Sequence, residues 1–146
     1  MTTATSPELE EFLATGLKRQ IDADFALHDG DPDPRLALWS TQDPISLFGA
    51  AVPVETGRAA VEDVAYWLAE HFSNSQKFDV ELVAAGVSGD LAYTVGLEHS
   101  EYSYDGGPVQ PATLRVTHIY RRENGEWRIV HRHGDHVPAD RRNEVK

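Results

Sequence analysis

Three histidines near the C-terminal end are spaced so that they could act together. In the run Trp127-Arg128-Ile129-Val130-His131-Arg132-His133-Gly134-Asp135, the odd positions read Trp, Ile, His, His, Asp. Side chains alternate across a strand, so the spacing puts His131 and His133 on the face of Trp127 and Ile129. Upstream, Leu114, Val116, His118 and Tyr120 alternate in the same way. Asn124-Gly125 is a two-residue turn signal, because both residues tolerate positive φ. It pairs Glu123 with Glu126 and, by continuation, His118 with His131 and Val116 with His133. Directly opposed side chains have Cβ atoms about 4.5–5.5 Å apart. Two imidazoles that close resist joint protonation, so one stays neutral near pH 7 and can serve as a base. The pair fits equally with ligand contact or with a hydrogen-bonded structural role, and the pattern leaves these open.

Around this pair, Trp39, Tyr93 and Tyr120 are candidates for an aromatic wall that suits a flat or partly apolar ligand. Trp67 reads more simply as core. His131, His133, Asp135 and His136 are metal-compatible groups, but alternate residues diverge along a strand. His28 and His99 are too loosely placed to complete a coordination sphere, so no metal is expected. Among the acids, Asp79, Glu81 and Glu98 fall on one phase of their strands, whereas Asp135 shares the phase of His131 and His133; with the inward phases that the resemblance below implies, the first three are expected outside and Asp135 inside. Asp22, Asp24 and Asp29 read as surface or capping acids. No glycine-rich phosphate loop, nucleophile elbow or calcium loop is present, and no cofactor is expected.

These residues need elements to hold them. Ser6-Pro7-Glu8 is a helix start, with a capping hydroxyl, Pro at the first position and an acid in the first turn. Leu9, Phe12, Leu13, Leu17, Ile21 and Phe25 then predict one long amphipathic helix, stopped by Gly30. Asp33-Pro34 opens a short helix to Trp39. Asp43 to Gly49 reads as a turn into a short strand near Phe48. Thr56 is placed to cap a third helix with Val61, Val64, Ala65, Leu68 and Phe72 on its apolar stripe. From Phe78 onward the period becomes two. Leu91, Tyr93, Val95, Leu97 and His99 form one face of the second strand. Ser88-Gly89-Asp90, Asp105-Gly106-Gly107 and Asn124-Gly125 separate four strands of an antiparallel meander. The fold class is α+β, with three helices packed on one sheet face.

The 146 residues predict one domain, 1–146 with a core of about 7–138. Residues 1–75 hold 13 acids and 4 bases, and residues 76–146 hold 11 and 9. A formal charge of −11 so distributed argues against nucleic-acid binding. No apolar run approaches the roughly 20 residues of a membrane span, and the N-terminus lacks the pattern of a secretory signal. There is no cysteine, which suits a cytoplasmic setting.

Three helices before a meander, with Arg115-Val116-Thr117-His118-Ile119-Tyr120-Arg121-Arg122, Asn-Gly, and Glu126-Trp127-Arg128-Ile129-Val130-His131-Arg132-His133 at its end, resemble the nuclear transport factor 2-like superfamily. The nearest likenesses are the SnoaL-like proteins and the association domain of calcium/calmodulin-dependent protein kinase II. The resemblance implies a cone-shaped, cystatin-like sheet curled around the first helix, with a pocket open at one end. It places the odd face of the second and fourth strands and the even face of the third inward, with Trp39 near the mouth. The kinase association domain puts arginines in its pocket, whereas His118 and Val95 stand at two such places here. The superfamily hosts isomerases, cyclases, dehydratases, binding proteins and assembly domains. The resulting expectation is a SnoaL-like protein that binds a small organic molecule and, if it is an enzyme, transfers protons without a cofactor. His118 or His131 would be the base, with Trp39, Tyr93, Tyr120 and His133 as ligand contacts. The rival is a non-catalytic sensor or assembly module. The face bearing Thr94, Gly96, Glu98, Arg115, Thr117, Ile119, Arg121, Arg128, Val130 and Arg132 is expected to pair in a homodimer. The missing aspartate base and tyrosine argue against steroid isomerisation.

Overall fold

Ser6 caps the first helix as its sequence requires: its Oγ accepts from Leu9 N at 3.1 Å. Such a cap contributes about 0.5–2 kcal/mol. The computed structural model describes residues 6–139. Helix α1 (Pro7–Phe12) passes through a π-helical turn, Leu13–Leu17, into α2 (Lys18–Leu27) without a break in direction. Gly30, at φ +91°, closes this long helix. Helix α3 (Asp33–Leu38) leads to the short strands β1 (Ser46–Phe48) and β2 (Glu55–Thr56). Helix α4 (Arg58–His71) runs directly into β3 (Phe72–Ser88). Thr56 does not cap α4; Gly57, at φ +88°, holds that position because the chain turns there through a conformation a threonine would resist.

The meander is completed by β4 (Leu91–Tyr104), β5 (Gln110–Glu123) and β6 (Glu126–His136). Asn124 and Gly125 both have positive φ, as the hairpin signal demands. The sheet order is β2-β1-β6-β5-β4-β3, with β1 parallel to β6 and every other pairing antiparallel. The sheet therefore has six strands, one more than the sequence pattern predicts. The extra strand, β2, has only two residues, too short to show a period. Breaks in the β3–β4 register at Ser73/Lys77 and Leu82/Ala84 interrupt the long edge strand.

The helices cover one face of the sheet. Phe12 packs edge-on against Tyr120 and Trp127, with ring centroids 4.9 and 5.2 Å apart. Leu38, Trp39, Ile45, Leu47, Val61, Val64 and Ile129 join them in the core. Burying each such aliphatic side chain contributes about 1.5–3 kcal/mol. Among the described residues no helix is long and apolar enough to cross a membrane.

Candidate functional site

One residue decides what β6 sends to the interior. Tyr120 pairs with Ile129, but the next residue of β5, Ile119, pairs with His131, so Val130 is an unpaired bulge. Beyond it the inward positions are Arg132 and Gly134, not His131 and His133. His118 therefore faces Arg132 across the hairpin, and the expected His118–His131 opposition is overturned. His131 and His133 lie on the outer face, where both pack edge-on against Phe48. The Nδ1 of His131 sits 2.7 Å from Ser46 Oγ. Partial burial and the neighbouring His133 lower its pKa.

Strand β4 corrects the expectation in the same way. From Leu91 to Ser100 its buried positions are Ala92, Thr94, Gly96, Glu98 and Ser100, whereas Leu91 and Tyr93 are exposed. In this stretch the large apolar residues are thus outside and the small and polar ones inside. Space explains part of this inversion: a Cβ on Gly96 would lie 2.7 Å from the Glu81 carbonyl oxygen. The rest follows from what Glu98 meets. Its two oxygens accept from Arg132 Nη1 and Nη2 at 2.7 and 2.8 Å, a two-point pairing with both side chains buried. Arg132 Nη1 also lies 3.2 Å from His118 Nε2. An arginine can only donate, so Nε2 accepts and His118 is the neutral, Nδ1-protonated tautomer. Burial foremost, then Arg132, Arg35 and His131, holds its pKa well below the usual value. Burial opposes the charge on Arg132, but Glu98 outweighs it and the guanidinium pKa rises.

The first helix supplies the other half of this floor. Asp24, expected at the surface, is 1% exposed and pairs with the buried Arg35 of α3. Gln20 bridges the two acids, donating to Asp24 and, at 3.1 Å, to Glu98. Two carboxylates and two guanidiniums therefore meet in the interior, and their formal charges cancel. Burial without such pairing would cost several kcal/mol per ion. Asp135, the acid expected inside, is outside and held by Arg115 at 2.7 and 2.8 Å.

Above this floor is a cavity of about 200 Å³. Asp24, Arg35, Glu98 and Arg132 form its polar end; Leu47, Val52, Val64, Leu68, Phe72 and Leu114 are among its apolar walls. His28 also lines it, one helical turn beyond Asp24. The imidazole is stacked on Tyr102, with centroids 4.1 Å apart and planes 19° from parallel, and meets Phe72 edge-on. Burial foremost lowers its pKa to about 4; Glu98 opposes this and Arg35 and Arg132 reinforce it. Its Nδ1 and the Nε of Arg35 are buried without a hydrogen-bond partner.

Of the residues singled out from the sequence, His118, Tyr120 and Trp39 are in the interior. His118 sits at the closed end, beside Gln20 and Glu98, and does not line the main cavity. Tyr120 is fully buried with an unpartnered hydroxyl, and burial raises its pKa. Trp39 is sealed in the core beside Ile129, not placed at a mouth, because its backbone bridges to β6 there. Tyr93, His131 and His133 lie on the other side of the sheet. The residues the pattern missed are Asp24, His28, Arg35, Glu98 and Arg132. Spacing signals two of them: Gln20, Asp24 and His28 recur every fourth residue on one helix face.

The sequence model of the SnoaL-like domain matches residues 23–140. No curated protein matches the sequence significantly. Among solved structures, the chain is similar to a proposed dehydratase of the nuclear transport factor 2-like family from Streptomyces avermitilis. That likeness has 22% identity and a TM-score of 0.75, and covers 92% of this chain and 100% of the other. A ketosteroid isomerase-like protein from Erwinia carotovora is similar at 18% identity and TM-score 0.70, over 88% and 98%. A proposed calcium/calmodulin-dependent kinase II association domain from Exiguobacterium sibiricum is similar at 14% and 0.65, over 95% and 100%. At these identities the likeness establishes the fold: three helices on a curled, unclosed six-stranded sheet of the nuclear transport factor 2-like kind.

Proposed function

The chain belongs to the SnoaL-like family, and on that premise we propose that it binds a small organic molecule inside its cone. As an enzyme it would move a proton on that molecule without a cofactor, as isomerases, cyclases and dehydratases do. The observation that carries this reading is the cavity of about 200 Å³, with two buried acid–arginine pairs at one end and apolar walls at the other. Ligand sites of this kind orient a compound by a few polar groups and bury the rest of it. The volume lies below the roughly 300–1,000 Å³ of drug-sized sites, so the ligand is compact. In this reading His118 is a positioning residue, since its accepting nitrogen faces Arg132. A cytoplasmic setting, in keeping with the absence of cysteine, is part of the proposal.

A panel of compact organic fragments, followed by amide NMR, tests the binding. Fragments that enter should shift the signals of His28, Arg35, Val52, Phe72 and Tyr102. A panel that moves none of these, or only outer-face signals, contradicts the reading.

A second reading, an assembly module, has its own support. The outer sheet face exposes Val83, Leu91, Tyr93 and Ile119. Contiguous exposed apolar surface favours self-association. A homodimer through this face is proposed, and it is compatible with ligand binding on the other. Light scattering at low micromolar concentration should give about 32 kDa, twice the 16.2 kDa chain; a value of one chain contradicts it.

A further inference from the structure

Trp67 reads as core from its sequence, yet it is 40% exposed near the end of α4, and Tyr104 at the end of β4 is 50% exposed. His71 joins the two rings. Its imidazole lies nearly parallel to Tyr104, with centroids 5.3 Å apart and planes 10° apart, and meets Trp67 edge-on at 4.7 Å. Asp105 fixes the arrangement. Its carboxylate bonds His71 Nδ1 at 2.5 Å, and its backbone N donates to the His71 carbonyl at 2.8 Å. The three rings therefore form a platform whose geometry is set before anything docks. Tyr104 also touches the interior cavity, but Trp67, His71 and Asp105 lie outside its lining. Exposed aromatic rings held by fixed partners are the usual anchors of protein interfaces.

The surroundings decide what such an anchor would hold. Asp63, Glu70 and His71 stand four before, three after and four after Trp67 on the helix, so all three are its neighbours on the helix surface. Asp63 and Glu70 are exposed. Residues 59–76 and 99–114, which build the platform, contain five acids and no lysine or arginine. The C-terminal end of α4, at His71, adds the negative end of the helix dipole. A phosphate backbone is repelled by such a surface, and an uncharged partner makes no use of the acids. An arginine uses both features. Its planar guanidinium stacks on an indole while its N–H groups donate to carboxylates beside the ring.

We propose that the Trp67–His71–Tyr104 platform is a docking site for an exposed arginine of a partner protein. The guanidinium stacks on Trp67 and donates to Asp63 and Glu70. The adjoining segment of the partner lies across Tyr104, while Asp105 stays with His71 and keeps the platform rigid. The site requires no occupant in the cavity.

Titration of a capped peptide of alternating glycine and arginine into the intact protein, followed by the tryptophan indole N–H signals, tests this. Trp39 and Trp127 are each 2% exposed and serve as internal references. The Trp67 signal, identified by its loss in Trp67→Phe, should move to saturation while those two stay in place. Trp67→Ala, followed by the Glu70 amide, should weaken binding about 3–10-fold. Asp63→Asn with Glu70→Gln should weaken it about 2–5-fold. These side chains are exposed, and circular dichroism confirms that each variant is folded. The same peptide with lysine for arginine should bind more weakly. If the arginine peptide leaves Trp67 unmoved at millimolar concentration, or if the variants bind it like the wild type, the proposal is overturned. It is also overturned if the lysine peptide binds equally, because the guanidinium is then not what is recognised. Movement of Trp67 with a neutral oligosaccharide, or with protein concentration alone, while the arginine peptide has no effect, would give the platform to a sugar or to a second copy of this chain instead.

Discussion

Strand β6 contributes to ion pairs on both faces, and two of them have nearly the same distances. Arg132 meets Glu98 at 2.7 and 2.8 Å on the inside. Arg115 meets Asp135 at 2.7 and 2.8 Å on the outside. The inner side chains are 10% and 6% exposed, the outer ones 50% and 47%. In water the outer pair is screened and exchanges readily with solvent, so it contributes little. The inner pair has no solvent to fall back on. Each partner makes burial of the other tolerable, and together they place a fixed, neutral-overall set of charges against the cavity. A two-point guanidinium–carboxylate contact is therefore surface decoration in one place and the floor of a site in the other. The difference is set by the Val130 bulge.

The largest effect should come from breaking the inner pair. Arg132→Met leaves Glu98 buried beside an apolar side chain and should cost about 3–5 kcal/mol in chemical denaturation. A loss no greater than that of a surface substitution would mean that Glu98 finds water and the floor is not sealed. Acid should act next. His28 has a folded pKa of about 4 against 6.5 unfolded. The unfolded ring therefore binds its proton first as pH falls, so stability is complete above about pH 6.5 and declines between there and about 4. This contributes about 3 kcal/mol of pH-dependent loss, largely absent in His28→Gln. His118 has the same sign, its folded pKa lowered chiefly by burial. A stability curve of His28→Gln that falls as steeply as wild type between pH 6.5 and 4 would contradict the burial of that ring.

Deleting Val130 is a smaller and more specific test. The ladder would then run from Ile129 to His131 without an extra residue, and Arg132 would keep its inward place. The cost should be about 1–2 kcal/mol, from the lost partial packing of one valine. A deletion that unfolds the protein, or that brings His131 into the core, would show that the bulge does more than correct the register. Arg115→Ala should be the least consequential change, with no shift of the denaturation midpoint outside error. A clear loss would show that the outer pair is shielded from solvent.

How much of this was legible beforehand follows from the same contrast. Elements set by local chemistry were readable: Ser6 as a cap, Gly30 as a stop, Asn124-Gly125 as a hairpin turn. So were Phe12, Val116, Tyr120, Trp127 and Ile129 as interior residues, because their apolar character and their direction agree. The site was not readable, because there the two disagree. On the first helix, apolar Ile21 and Phe25 suggested one face, while the face that turns inward carries Gln20, Asp24 and His28. On β4, Tyr93 and Leu97 suggested one face, while Thr94, Gly96 and Glu98 face the helices. A rule that sends polar residues outward must fail where a fold keeps a charged floor inside. Arg132 was missed for a different reason. A single unpaired residue has no signature in an alternating pattern, and one such residue exchanges every later side chain between the two faces.

The most direct test of the account is to watch the histidine rings while a cavity-binding fragment is added. With nitrogen-labelled histidine, the imidazole signals of His28 should move on titration, while those of His131 and His133, on the other side of the sheet, should stay in place. Movement of His131 and His133 with His28 unchanged would put the binding face on the outside of the sheet and contradict the account.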